Sequence, residues 1–192
     1  METIEERVNS VVRTKVNEKV GIYVAANTKI SANALTIVGI FASLVASFLI
    51  VRYGLFVGAF AMLISALFDS LDGAVAKARN SSTSFGAFLD DVADRIGEIL
   101  YFSAIFWLNN SLAVFFAGIT SVLVSYFNAS AKARGFKPSS GTVTGRPGRI
   151  VLLFLLMLLS SLFPISITLW LIVLLNLFTL VKRGFEVKKQ SG

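Results

Sequence analysis

"LFDSLDGAVAKARNSSTSFGAFLDDVADRIGEIL", residues 67–100, decides how the chain is read. Asp69, Asp72, Asp90, Asp91 and Asp94 stand in it between two strongly apolar runs, with Lys77, Arg79 and Arg95 as neighbouring cations. A carboxylate taken out of water is costly unless a cation pairs with it, and three cations are too few for five acids. A helix turns about 100° per residue, so Asp69 and Asp72 share a face, with Gly73 and Ala76 small enough beside them for a ligand to approach the backbone. Gly86, Asp90 and Asp94 recur every four residues and form a line along the next helix, from which Asp91 points about 100° away. Two helices joined by a short loop pack antiparallel, which brings the four aligned aspartates together. Facing carboxylates repel unless divalent cations neutralise them, and all-oxygen ligation suits Mg²⁺, Mn²⁺ or Ca²⁺. A pair of metal ions is the simplest missing partner.

The surrounding composition is that of an integral membrane protein. The chain has 192 residues, 55% of them hydrophobic and 15% charged, with a mean hydropathy of +0.76; soluble domains carry about 25% charged residues. There is no cysteine and no histidine, which excludes disulfides, zinc held by Cys or His, and any Ser-His-Asp or Cys-His relay. The N-terminal stretch "METIEERVNSVVRTKVNEKV" is charged and lacks the apolar core of a cleavable signal peptide.

Crossing a bilayer takes about 20 mostly apolar residues. Six such runs predict an all-α fold of six transmembrane helices, near 33–51, 55–77, 86–108, 111–131, 149–163 and 165–181, the last two hinged at Pro164. Ile4, Val8, Val11, Val12, Val16 and Val20 recur at helical spacing among charges, which predicts an amphipathic helix in the membrane interface within a segment 1–30. The six-helix domain then occupies 31–183 and a basic tail 184–192. Arg7, Arg13, Lys15, Lys19, Lys29, Lys77, Arg79, Lys132, Arg134, Lys137, Arg146, Arg149, Lys182, Arg183, Lys188 and Lys189 all fall on one side of six spans, and Arg52 on the other. The positive-inside rule makes that side cytoplasmic, with both termini and the acidic centre facing it. These cations are scattered over membrane-proximal loops, which gives no nucleic-acid surface.

The stretch resembles the signature of the CDP-alcohol phosphotransferases, Asp-x2-Asp-Gly-x2-Ala-Arg-x8-Gly-x3-Asp-x3-Asp, in Asp69, Asp72, Gly73, Ala76, Gly86, Asp90 and Asp94, with Lys77 in place of the arginine. Upstream, "SANALT" resembles the family's Pro-Asn-x-Leu-Thr in Asn33, Leu35 and Thr36. The resemblance implies that an acceptor hydroxyl attacks the β-phosphorus of a CDP-linked lipid and CMP leaves. It implies Asp69, Asp72, Asp90 and Asp94 as ligands of two Mg²⁺ or Mn²⁺ ions, and Asp94 also as the catalytic base. Asn33, Thr36, Gly73, Ala76, Lys77 and Gly86 are then expected around the CDP moiety.

"SYFNASAKARGF" and "TGRPGR" are similar to "SYxKARAExxG" and "RPER" of the inositol-phosphate-using branch, with Asn128 and Ser130 where that branch has its Lys and Arg. Lys132, Arg134, Arg146 and Arg149 are accordingly expected at the phosphate of a small polar acceptor, inositol phosphate before glycerol phosphate. Attraction of anionic membrane lipids is the plainer use of the same charges. Glu98 lies one turn beyond Asp94, either hydrogen-bonding a metal ligand or buried as a neutral acid. Ser81, Ser82 and Ser84 read as loop and cap residues. A homodimer is compatible with these readings. The rival is a small transporter or channel whose intramembrane acids bind ions. Such a site belongs near the bilayer midplane, whereas these aspartates bracket a basic loop.

Overall fold

The structure, a computed structural model, describes residues 19–137 and 145–191. The expected amphipathic helix at 3–20 lies almost wholly outside them; residues 19–27 are helical. Among the described residues there is no strand, and six longer α-helices follow: α1 (Ala32–Tyr53), α2 (Leu55–Ala78), α3 (Ser84–Asn109), α4 (Leu112–Ala133), α5 (Arg146–Leu158) and α6 (Ile165–Ser191).

Local chemistry sets the boundaries. The side chains of Ser31, Thr83 and Ser111 accept hydrogen bonds from Ala34 N, Gly86 N and Ala113 N, capping α1, α3 and α4. The cap of α3 is therefore Thr83, inside the run of serines. Gly54 alone separates α1 from α2, at φ 87°, a left-handed conformation that costs glycine nothing. Pro147 opens α5, where its missing N–H is no loss, and a 3-10 turn at Leu159–Ser161 precedes the bend at Pro164. The helix α6 runs on to Ser191, so the described part of the basic tail continues the last helix instead of leaving it. No helix breaker stands in "EVKKQ", and Glu186 lies one turn from Lys182.

Four of the helices, α1, α2, α4 and α6, are long and apolar enough to cross a membrane. The other two expected spans differ for visible reasons: α3 carries Asp90, Asp91, Asp94, Arg95 and Glu98, and α5 is 13 residues long. The protein is a multi-pass membrane protein. Its outer face bears this out, since Phe41 (64% exposed) and Phe48 (63%) on α1 stand outward while Ile50 and Met62 are buried. Apolar side chains turned outward in this number fit hydrocarbon and not water.

Neighbouring helices form a closed ring in the order α1, α3, α4, α6, α5, α2. The two aspartate-bearing helices α2 and α3 both lie along α1, and their backbones approach each other at few points, meeting through side chains. The expectation that they pack as a simple antiparallel pair therefore needs correcting: α1 is the template for both. Small residues allow the approach, as expected where helices meet in lipid. Gly58 of α2 meets Ile50, and Gly97 of α3 faces the Ser43 hydroxyl. Ser43 (α1), Ser65 (α2) and Tyr101 (α3) join hydroxyls at 3.0 Å in the buried space between the three helices.

Candidate active site

Asp69 and Asp72 sit on the last three turns of α2, and Asp90 and Asp94 on the first turns of α3. The template helix brings Asp69, Asp90 and Asp94 together, each offering one carboxylate oxygen, with all three oxygens within 4.8 Å of one another. Asp72 takes a different role. It is buried (4% exposed), accepts a hydrogen bond from Thr36 Oγ1 at 2.5 Å across to α1, and also accepts from the backbone N–H of Gly73. The four aspartates are thus adjacent, but one of them is tied to α1 by a hydroxyl. Asp91, as its helical face predicts, turns outward (side chain 68% exposed) and lies 3.5 Å from Arg95.

The cation nearest the cluster comes from α5. Arg146 Nη1 lies 2.5 Å from Asp69 Oδ2 and is also ion-paired with Asp94. Arg95 Nη1 stands 3.5 Å from Asp94. One close guanidinium and one looser one face four carboxyl groups, so the acids outnumber the guanidinium groups beside them. Hard, closely spaced, all-oxygen donors fit a divalent cation of the Mg²⁺ or Mn²⁺ class.

Two cavities meet at these acids. The larger, about 590 Å³, has Asp69, Asp72, Lys77, Asp90, Asp94 and Arg146 along its wall, and Leu63, Leu67, Ile150 and Val151 make another part of its lining apolar. The smaller, about 180 Å³, is lined by Asn33, Thr36, Gly73, Ala76 and Gly86 together with Asp72 and Asp90. Five of the six residues expected around CDP therefore share one cavity, and Lys77 lines the other. A Cβ on Gly86 would come within 3.2 Å of Asn33 Oδ1 and 3.1 Å of Thr83 Oγ1, so a side chain there would narrow this cavity. At Gly73 a Cβ would meet nothing within 4 Å.

The four cations expected at an acceptor phosphate are not brought together. Only Arg146 lines the acidic cavity. Lys132 and Arg134 are exposed at the end of α4, where Arg134 bonds to the backbone and hydroxyl of Ser130. Arg149 is 3% exposed; its Nε and Nη2 donate to Glu98 Oε1 at 2.9 and 2.7 Å, and Nη2 also donates to Ser125 Oγ at 2.7 Å. Glu98 is thus the partner of an arginine, neither of the two uses its position suggested. Arg183, counted by sequence only among the cations that orient the chain, is 2% exposed on α6. Its place in the run "VKRG" made it look like one more membrane-flanking cation.

A partly buried acidic centre at the junction of a polar and a half-apolar cavity, set in a ring of membrane helices, defines a membrane enzyme acting on a substrate with charged and apolar ends. The sequence matches the CDP-alcohol phosphatidyltransferase family over residues 29–181, and the chain belongs to that family. It is a transferase of phospholipid biosynthesis. It is 33% identical over 173 residues to the phosphatidylinositol phosphate synthase of Mycobacteroides abscessus, covering 83% of this chain and 78% of that one. It is 30% identical over 167 residues to the archaetidylinositol phosphate synthase of Pyrococcus horikoshii, covering 86% and 87%. The fold is similar to the crystal structure of Mycobacterium tuberculosis phosphatidylinositol phosphate synthase with CDP-DAG bound, with a TM-score of 0.79 and 28% identity over 91% of this chain and 94% of that one. A second structure of the same enzyme, in complex with manganese and citrate, matches with a TM-score of 0.78 and 28% identity over 90% of this chain and 88% of that one.

Proposed function

We propose that the protein transfers the phospholipid moiety of a CDP-linked lipid to a hydroxyl of inositol phosphate, releasing CMP, with glycerol phosphate as the next acceptor in order. The observation that carries this is the meeting of Asp69, Asp90 and Asp94 with Arg146 in one half-apolar cavity. Acids are suited to bind the metal-neutralised diphosphate, apolar walls the lipid chains, and an arginine a second phosphate. The similarity to two kinds of inositol phosphate lipid synthase supports the choice of acceptor.

Asp69, Asp72, Asp90 and Asp94 are proposed to hold two Mg²⁺ or Mn²⁺ ions, whose bound charge supplies Lewis acidity at the diphosphate. Thr36 fixes one Asp72 oxygen, leaving the carboxylate a defined orientation. Asn33, Gly73, Ala76 and Gly86 shape the smaller cavity for the cytidine nucleotide, and Lys77 adds positive charge on the phosphate side. In the reaction the acceptor oxygen bonds to the β-phosphorus, the bond from that phosphorus to the bridging oxygen breaks, and CMP leaves with the bridging oxygen. Asp94 would take the hydroxyl proton, as a carboxylate lining the same cavity as Arg146. Arg146 meets the acceptor phosphate, and Arg149, one turn along α5, holds that helix to α3 and α4. Lys132 and Arg134 draw the anionic acceptor or anionic lipid headgroups to this side of the membrane.

The cation distribution supports six spans with both termini and the acidic centre cytoplasmic. The test is a panel of labelled acceptors offered with a CDP-lipid and Mg²⁺ or Mn²⁺, scored for CMP release. Inositol phosphate is expected to lead. Preference for free inositol, serine or another unphosphorylated alcohol would overturn the acceptor assignment.

A further inference from the structure

We propose that Arg79 is a positioning residue for the nucleotide, a clamp that holds together the two polypeptide walls of the smaller cavity. Its guanidinium makes four hydrogen bonds to backbone carbonyls of a segment some fifty residues away. Nε and Nη2 donate to Ala25 O at 3.3 and 3.1 Å, Nη2 to Thr28 O at 2.6 Å, and Nη1 to Ile30 O at 2.5 Å. Those carbonyls belong to the end of the helical stretch 19–27 and to the lead into α1. The C-terminal carbonyls of a helix are unpaired within it and carry partial negative charge, so a fork of donors suits them better than a single ammonium. Thr28 N and Oγ1 both donate to Val24 O there, so this end of the segment is already folded for the arginine to hold.

Arg79 itself stands where α2 ends. Asn80 turns left-handed at φ 51°, and Ser81 N donates to Ala76 O at 2.9 Å, which closes the helix and sends the chain to Thr83. Residues on both sides of the clamp line the cavity. Ala32, Asn33 and Thr36 follow directly from the carbonyls it holds, and Ser81, Ser82 and Thr83 follow directly from Arg79. No covalent connection shorter than the whole of α1 and α2 joins these two walls, so their separation is set by contacts such as this one. Three different carbonyls make it a geometric constraint on the gap in which Gly86 and Asn33 already approach closely. The residue lies outside the acidic centre, touches none of its carboxylates, and acts on substrate through the walls it holds.

The inference rests on the proposed reading of the smaller cavity as the nucleotide site, and the experiment separates the clamp from the acceptor assignment. CMP binding is measured by calorimetry on detergent-solubilised full-length wild type, Arg79→Ala and Arg79→Lys, with Michaelis constants for CDP-lipid and inositol phosphate and the thermal midpoint of each. A guanidinium clamp predicts a CMP dissociation constant raised about tenfold in Arg79→Ala, with the CDP-lipid Michaelis constant following it and that for inositol phosphate within about twofold. Arg79→Lys, which keeps charge and loses the fork, should shift less in the same direction and carries the test if the alanine variant does not fold. Unchanged CMP affinity in both variants overturns the clamp, as does a fall in thermal midpoint with both Michaelis constants moving together. Wild type that binds CMP yet transfers nothing to inositol phosphate overturns the proposed acceptor and leaves the clamp standing.

Discussion

Replacing Glu98 by leucine should destabilise the protein far more than it alters the chemistry of the acidic centre. Glu98 is 2% exposed and Arg149 3%, and the pair is held by three hydrogen bonds of 2.7 to 3.0 Å. Leucine fills a similar volume, so little of the effect is a cavity. It removes the carboxylate paired with a buried guanidinium, and an uncompensated buried charge costs about 3–5 kcal/mol. In a chain of this length about 1 kcal/mol corresponds to roughly 2–4 °C in thermal midpoint, so the expected drop is on the order of 6–20 °C. The double variant Glu98→Leu with Arg149→Met exchanges the pair for apolar groups and should recover most of that loss. Thermal unfolding of the purified variants in one detergent, with CMP release as a second reading, measures both. A midpoint unchanged by Glu98→Leu, or a double variant no more stable than the single one, would refute the reading of Glu98 and Arg149 as a structural ion pair.

Further expectations concern the acids and the topology. Asp90→Asn should nearly abolish CMP release, while Asp91→Asn, whose side chain faces outward beside Arg95, should retain most of it; equal sensitivity would show that the face assignment is wrong. Because the chain has no cysteine, Ser82→Cys gives a clean probe of the loop between α2 and α3. It should resist a membrane-impermeant thiol reagent in sealed cells and label after permeabilisation, and labelling in sealed cells would overturn the cytoplasmic orientation.

The acidic site was legible because its spacing is local. Asp69 and Asp72 fall three apart and Asp90 and Asp94 four apart, so helical geometry alone puts each pair on one face. The family pattern added Asn33, Thr36, Gly73, Ala76 and Gly86, which the structure gathers into one cavity. What escaped depends on distant pairing. Thr36 reaches Asp72 across 36 residues, and Arg149 reaches Glu98 across 51, and no periodicity in either segment encodes those contacts. The place of Arg149 in "RPGR" at the membrane surface suggests a phosphate-binding cation and gives no hint of its burial. The role of α1 as common support for α2 and α3 was hidden for the same reason. Its buried face includes Gly39, Ser43, Ala46 and Ser47 between Thr36 and Ile50, and the small residues read as weakly polar and unremarkable. The length of α6 was underestimated because hydropathy marks where the apolar run stops, and good helix formers carry the helix on past it.

The most direct test of the central claim is CMP release from a CDP-lipid with inositol phosphate as acceptor, measured before and after chelation. Clustered carboxylates acting through divalent cations predict that EDTA abolishes the reaction and that added Mg²⁺ or Mn²⁺ restores it in wild type. Neither ion should restore it when Asp69 or Asp90 is replaced by asparagine. Full turnover in metal-free buffer, or full activity in both asparagine variants, would contradict the account.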